Sequence, residues 1–298
     1  MSFTTTVKNE LCLLSNNKLE SMSELSAIIR TNSYTNEIKI HTENKEVGQR
    51  VYKLIKDIYN ISPKITLRKR FNFDKSISYI ISVTKNYSII VNNLNLEKNN
   101  ILEEDEEIKR AYIRGLFISC GSINNPNNAN YHLEFSIKDE IHSNIINNLL
   151  NEYNLNSKII HRNNGFMIYI KEAEKIGDFL RLIKATKSLI EYENIRIIKD
   201  NSNRINRINN CQQANIDKVF INANNQIKDI KLIDEILTLD ALDDKTRLVA
   251  NYRLKYPESS LLELSNIISI ETTNKISKSG LNHRLNKIKE LASTLRTK

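Results

Sequence analysis

The chain has 298 residues, with 44 Lys plus Arg against 35 Asp plus Glu and a formal net charge of +9, and that length predicts two domains. Its 40% hydrophobic content is enough for real cores, yet no stretch approaches the roughly 20 apolar residues of a membrane span, and the first residues lack a signal-peptide core. Cys12, Cys120 and Cys211 are odd in number and far apart, with no C-x-x-C, which fits a reducing cytoplasm and argues against disulfides or structural zinc.

In chain order, residues 1–185 read as one α+β unit written twice. The first copy has a helix over 19–31, an alternating strand at 37–42 and a helix over 45–59. Strands at 64–70 and 78–84 follow, and a short helical or irregular segment leads to the acidic EEDEE of 103–107. The second copy repeats the order: helix 106–119, strand 131–137, helix 139–153, strands 158–162 and 166–171, helix 172–185. The clearest match pairs EVGQRVYKLIKDIYNISPKI with EIHSNIINNLLNEYNLNSKI, each an amphipathic helix, a turn and an alternating strand.

Residues 186–213 form a polar helical linker. Residues 214–298 read as an all-α domain whose first segment, 214–237, carries Val219, Ala223, Ile227 and Ile230 along one side. A helix over 245–255 is closed by Pro257, since the residue before proline avoids the α region, and Ser259 is the expected N-cap of the next helix.

From Tyr256 the chain gives one apolar-periodic helix, a polar break of about a dozen residues (SIETTNKISKSG), and a second helix opening at Ser277 or Ser279. This is the pattern of a helix-turn-helix, although the break exceeds the tight turn of the simplest motif. In the second helix Leu281, Leu285, Ile288, Ala292 and Leu295 follow one buried stripe. Asn282, His283, Arg284 and Asn286 fall away from that stripe, as base readers would, Lys278, Lys287 and Lys289 are placed to hold phosphates, and Ser279 joins them as a DNA-binding candidate. From Lys245 to Lys298, eleven Lys plus Arg face four Asp plus Glu, so most of the basic excess is local, as a nucleic-acid-binding surface requires. A chain rich in Lys, Asn and Ile throughout gives a high pI without any such role, and a solvated polar helix face is the plain alternative for each of these residues.

With these residues in view, the first 185 resemble the LAGLIDADG homing-endonuclease fold, with LSAIIRTNS (25–33) and IRGLFISCGS (113–122) in place of its two motifs. The whole chain resembles the bacterial WhiA family through MSFTTTVKNEL, RAYIRGLFISCGSINNP, NRINNCQQANIDKV, YPESSLLELSNII and SKSGLNHRLNKIKELA. That resemblance implies a DNA-binding regulator connected with cell division, chromosome segregation and, in spore-forming lineages, sporulation. It also implies double-stranded DNA as partner, other transcription or division proteins as further partners, and a nucleoid-associated place in the cytoplasm. A non-enzymatic assembly protein for which DNA contact is auxiliary is the alternative.

The resemblance places Ala27 and Gly115 where small residues let the two motif helices approach. It puts the acidic metal-binding positions on Asn32 and Cys120. A hard Mg²⁺ ion wants anionic oxygen, so neither residue replaces a carboxylate, and loss of nuclease activity is expected, with no metal and no cofactor. Such folds lay their sheets over DNA, which makes Lys64, Arg68 and Arg70 in the first copy and Lys158 and Arg162 in the second candidate saddle contacts; charged outward strands are also the default for a half-solvated sheet. His41, His132, His142, His161 and His283 lack zinc-site spacing, and no phosphate loop or nucleophile elbow occurs. The operator and the oligomeric state are left open, a monomer being the simplest case.

Overall fold

In the computed structural model, which describes residues 1–69, 77–96, 101–272 and 275–297, the chain opens with a helix that the residue pattern did not predict. This is α1 (Phe3–Cys12), and it buries Phe3, Val7 and Leu11, spaced four apart. Then follow α2 (Lys18–Arg30), β1 (Ile38–Thr42), α3 (Lys45–Tyr59), β2 (Lys64–Lys69), β3 (Ile77–Val83) and α4 (Tyr87–Asn93). The second half runs α5 (Glu106–Cys120), β4 (Gly121–Ile123), β5 (Leu133–Ile137), α6 (Glu140–Glu152), β6 (Lys158–Arg162), β7 (Gly165–Ile170) and α7 (Ala173–Leu182). Each half builds an antiparallel sheet, in the order β1-β3-β2 and β4-β5-β7-β6, so β2 and β6 are matching edge strands. The expected duplication and α+β class are thus present, with most boundaries moved by one or two residues.

The two halves meet along α2 and α5. A Cβ on Gly115 would collide with the backbone oxygen of Glu24 and lie 3.0 Å from the Ala27 Cβ, so the close approach expected of Ala27 and Gly115 is real. At this crossing Glu24 is fully buried and takes two guanidinium groups. Arg50 of α3 donates from Nε to Oε1 at 2.8 Å and from Nη2 to Oε2 at 3.1 Å. Arg114 of α5 donates from Nε to Oε2 at 3.1 Å. Asn16 donates to the same carboxylate at 2.6 Å and accepts from Arg114 Nη2 at 2.9 Å, while Arg50 Nη1 reaches the Leu14 carbonyl at 2.8 Å. Every charge at this crossing has a partner, as burial demands.

A second polar contact, in the same half of the core as α5, links Tyr112 Oη to His142 Nε2 at 2.8 Å. Burial, with the Arg30 charge adding to it, pushes His142 down from 6.5 to about 4.

The remaining chain forms α8 (Thr186–Leu237), α9 (Asp244–Lys255), α10 (Leu261–Glu271) and α11 (Lys278–Arg296). The residues of the linker and of the amphipathic segment after it belong to the one helix α8. Two compact units divide within that helix, Met1–Asp200 and Asn201–Lys298. In the second unit Ile230 and Ile233 of α8 pack with Val249 and Ala250, Leu264 and Ile268, and the α11 stripe Leu281, Leu285, Ile288 and Ala292. On α8 the stripe differs from the expected one: Ala223 and Ile230 are buried, Ile227 is half-buried and Val219 is exposed. Ser260, not Ser259, caps α10, because only from there can its hydroxyl meet Glu263 N while the Glu263 carboxylate returns to Ser260 N, a capping box. Helix α10 also runs into the expected break, so six residues and not a dozen separate it from α11.

Removing the Glu24 carboxylate leaves two guanidinium groups buried without an anion. Glu24→Ala should cost about 3–5 kcal/mol, read from urea unfolding of the full chain; a cost under about 1 kcal/mol would mean that solvent reaches this crossing. His142 is neutral in the folded state down to about pH 4, whereas the unfolded chain protonates it near 6.5. Its contribution is therefore complete above pH 6.5 and is lost as pH falls towards 4. His142→Gln should flatten that part of a stability-against-pH curve, and an unchanged acid limb would assign the loss to other groups.

Candidate nucleic-acid interface

Helix α11 is set by its cap and its stripe. Ser277 is the N-cap, accepting from Gly280 N at 3.2 Å, and Ser279 lies inside the first turn with its hydroxyl 3.1 Å from that of Ser277. Of the residues expected to face DNA, Lys278, Ser279, Asn282, His283, Asn286, Lys287 and Lys289 are exposed, and Arg284 is half-buried. They do not form one face. Lys278, Asn282, Asn286 and Lys289 line a cavity of about 410 Å³ shared with α8, α9 and the start of α10. Arg284 and Lys287 turn towards the start of α9, where their charge adds to the Thr246 hydrogen bonds that hold Asp243 below the usual carboxylate range. Ser279 and His283 stand outside the cavity lining.

The cavity also holds a residue that the residue pattern did not single out, Arg253, which is 1% exposed. A signal for it existed: Thr246, Val249, Ala250 and Arg253 follow the three- and four-residue steps of the buried stripe of α9.

In the N-terminal unit the pairing register sorts the basic strand residues. Ile65 is opposite the buried Ile81 and on the same side of the sheet, although itself 45% exposed, and Lys64 and Arg68, paired with Ser82 and Ser78, point to the other, open face. Ile159 is likewise opposite the buried Ile168, which leaves Lys158 and Arg162 on the open face of the second sheet. Each edge strand thus presents a Lys and an Arg four residues apart on equivalent faces. Arg70 lies outside the described residues. A cross-relation ties these strands to the motif helices. Arg68 borders a groove with Ser119, at the end of the second motif helix, and Arg162 borders one with Thr31, at the end of the first.

Those two helix ends meet. Thr31 Oγ1 lies 2.6 Å from Ser119 Oγ, and Asn32 Nδ2 donates to Ser119 Oγ at 3.0 Å and to the Ile28 carbonyl at 2.8 Å. Cys120 Sγ bonds back to the Leu116 carbonyl at 3.4 Å, and burial pushes its thiol up to about 12. The cation that acts on it is Lys8, itself lowered by burial and 5.8 Å from the Phe117 ring centroid. A neutral amide and a protonated thiol do not suit a divalent cation. Among the described residues no group of three or more His, Cys, Asp or Glu could hold a metal ion.

Comparison with known proteins assigns these parts. Residues 18–97 match the WhiA N-terminal LAGLIDADG-like domain, 109–202 the WhiA LAGLIDADG-like domain and 205–292 the WhiA C-terminal HTH domain. The Probable cell division protein WhiA of Staphylococcus epidermidis is 40% identical over 310 aligned positions, covering 99% of this chain and 98% of its own. That of Staphylococcus haemolyticus is 40% identical over 311, covering 100% and 98%. The crystal structure of full-length DUF199/WhiA from Thermatoga maritima shares the fold at 24% identity, with a TM-score of 0.58 over 99% of both chains.

Proposed function

The chain belongs to the WhiA family, and on that footing we propose that it is a double-stranded-DNA-binding transcriptional regulator of cell division and chromosome segregation. The observation that carries this reading is α11 itself: a capped helix anchored by four buried residues, with amide and basic side chains on its exposed surface. In this reading Asn282, His283 and Asn286 read base edges and Lys287 grips a phosphate. In this reading the N-terminal unit keeps the nuclease scaffold without its chemistry, since Asn32 and Cys120 stand where carboxylates would be needed. The matched pairs Lys64/Arg68 and Lys158/Arg162 support a further contact of the open sheet faces with the DNA backbone.

Fluorescence anisotropy of labelled duplexes across a salt series tests both parts. Lys287→Ala should lower the log–log salt slope by about 0.9, and Asn282→Ala with His283→Ala should relax base preference by about 1–3 kcal/mol per base read. Unaltered affinity and preference in these variants would remove α11 as the reader. Replacing Lys64, Arg68, Lys158 and Arg162 by Ala should lower the slope by about 0.9 for each phosphate that those side chains neutralise; an unchanged slope would confine DNA binding to the C-terminal unit. Cell division that stays normal in a variant unable to bind DNA would favour the assembly role instead.

A further inference from the structure

The cavity beside α11 has an unusual electrostatic interior. Arg253, 1% exposed, makes a single hydrogen bond among the described residues, from Nη1 to the Ser259 carbonyl at 2.6 Å. Its Nε is buried without a partner, and burial lowers its pKa with no carboxylate to counter it. A buried guanidinium with most of its donors unused is costly unless an anion completes it. The residues around it are arranged for one. Lys278 and Lys289 bring two further positive charges to the lining, and Asn282 and Asn286 bring amide donors. Ser260, Leu261 and Leu262 also line the cavity, so the first turn of the eleven-residue helix α10 adds backbone N–H groups and the positive end of its dipole. Asp229 is the acidic residue of the lining, and it is committed to Arg296 at 2.5 Å. The other carboxylate nearby, Glu263, is held by Ser260 N at 2.8 Å.

We propose that this cavity is a phosphoryl-binding site, with Arg253 at its base and Lys278 and Lys289 at its rim. Its volume of about 410 Å³ falls within the range of small-molecule sites, roughly 300–1,000 Å³. The site takes a phosphoryl group either from a free phosphorylated compound or from the backbone of a bound duplex. Because α11 supplies one wall, filling the cavity is coupled to what that helix does. The coupling rests on the reading of α11 as the DNA-contacting helix; the anion site does not.

Full-length protein is titrated with pyrophosphate by calorimetry, and its DNA affinity is measured across a salt series. Both measurements are repeated with Arg253→Met, and with Lys278→Ala/Lys289→Ala in case the buried substitution prevents folding. Pyrophosphate binding weakened about tenfold or more in the variants, the loss expected for one charge-assisted hydrogen bond, supports the site. If the salt slope of Arg253→Met also falls by about 0.9 and pyrophosphate displaces DNA, the phosphoryl group belongs to the duplex. If the slope holds, it belongs to a free ligand. Pyrophosphate binding absent or unchanged by the substitutions, together with an unchanged slope, overturns the proposal. A wild-type protein that binds pyrophosphate through Arg253 but no DNA would overturn the proposed function and leave the site standing.

Discussion

The N-terminal unit depends on one carboxylate. Glu24 sits at the crossing of α2 and α5, where Gly115 is pressed against its own backbone oxygen, and it is bonded by Arg50 from its own half and Arg114 from the other. Two cations around one anion leave a positive excess inside the protein, and the Leu14 carbonyl and Asn16 amide absorb part of it. Such an arrangement is a poor source of net stability compared with a well-packed apolar interior. What it supplies is alignment. The guanidinium forks accept few geometries, so the bonds of Arg50 and Arg114 to Glu24 favour one register of the helix pair.

With the helices so aligned, their C-terminal ends converge. Thr31, Asn32 and Ser119 close on one another through neutral hydrogen bonds. A pair of carboxylates at the same spot would repel unless a cation bridged them. The present residues remove that requirement and knit the helix ends together directly. The open faces of both sheets carry basic residues on their edge strands.

Much of this was legible from residue order. Helix α3 falls where its periodicity places it, because it has one apolar face and one solvated face, and strand β6 keeps its expected bounds although four of its five residues are exposed. The Ala27–Gly115 approach was implied by the resemblance to the two LAGLIDADG motifs, which put small residues at those positions. Other features were hidden for physical reasons. Helix α1 has only three buried residues in ten, a stripe too short to stand out from irregular chain. Strand β4 is three residues long, below the length at which alternation carries information. Glu24, Arg50 and Arg114 look like ordinary surface charges one at a time; their burial exists only as a set. Helix α11 begins and ends close to where its stripe predicts, but its division between a cavity wall and a flank near α9 depends on neighbours tens of residues away in sequence.

Helix α1 makes its contacts with partners far along the chain. Thr4 Oγ1 donates to the Ile123 carbonyl at 2.8 Å and accepts from Ile123 N at 2.9 Å. Glu10 receives the Lys187 and Ser188 amides at 2.7 and 2.8 Å, which caps the start of α8. On a ribosome, then, this segment leaves the exit tunnel long before the residues it binds. It must wait for both halves and the residues that begin α8 to be made. The Phe3 ring lies 6.3 Å from that of Tyr192 in α8, so its burial is completed only when those residues are made, and the same segment acts as the closing clasp once Ser188 has emerged.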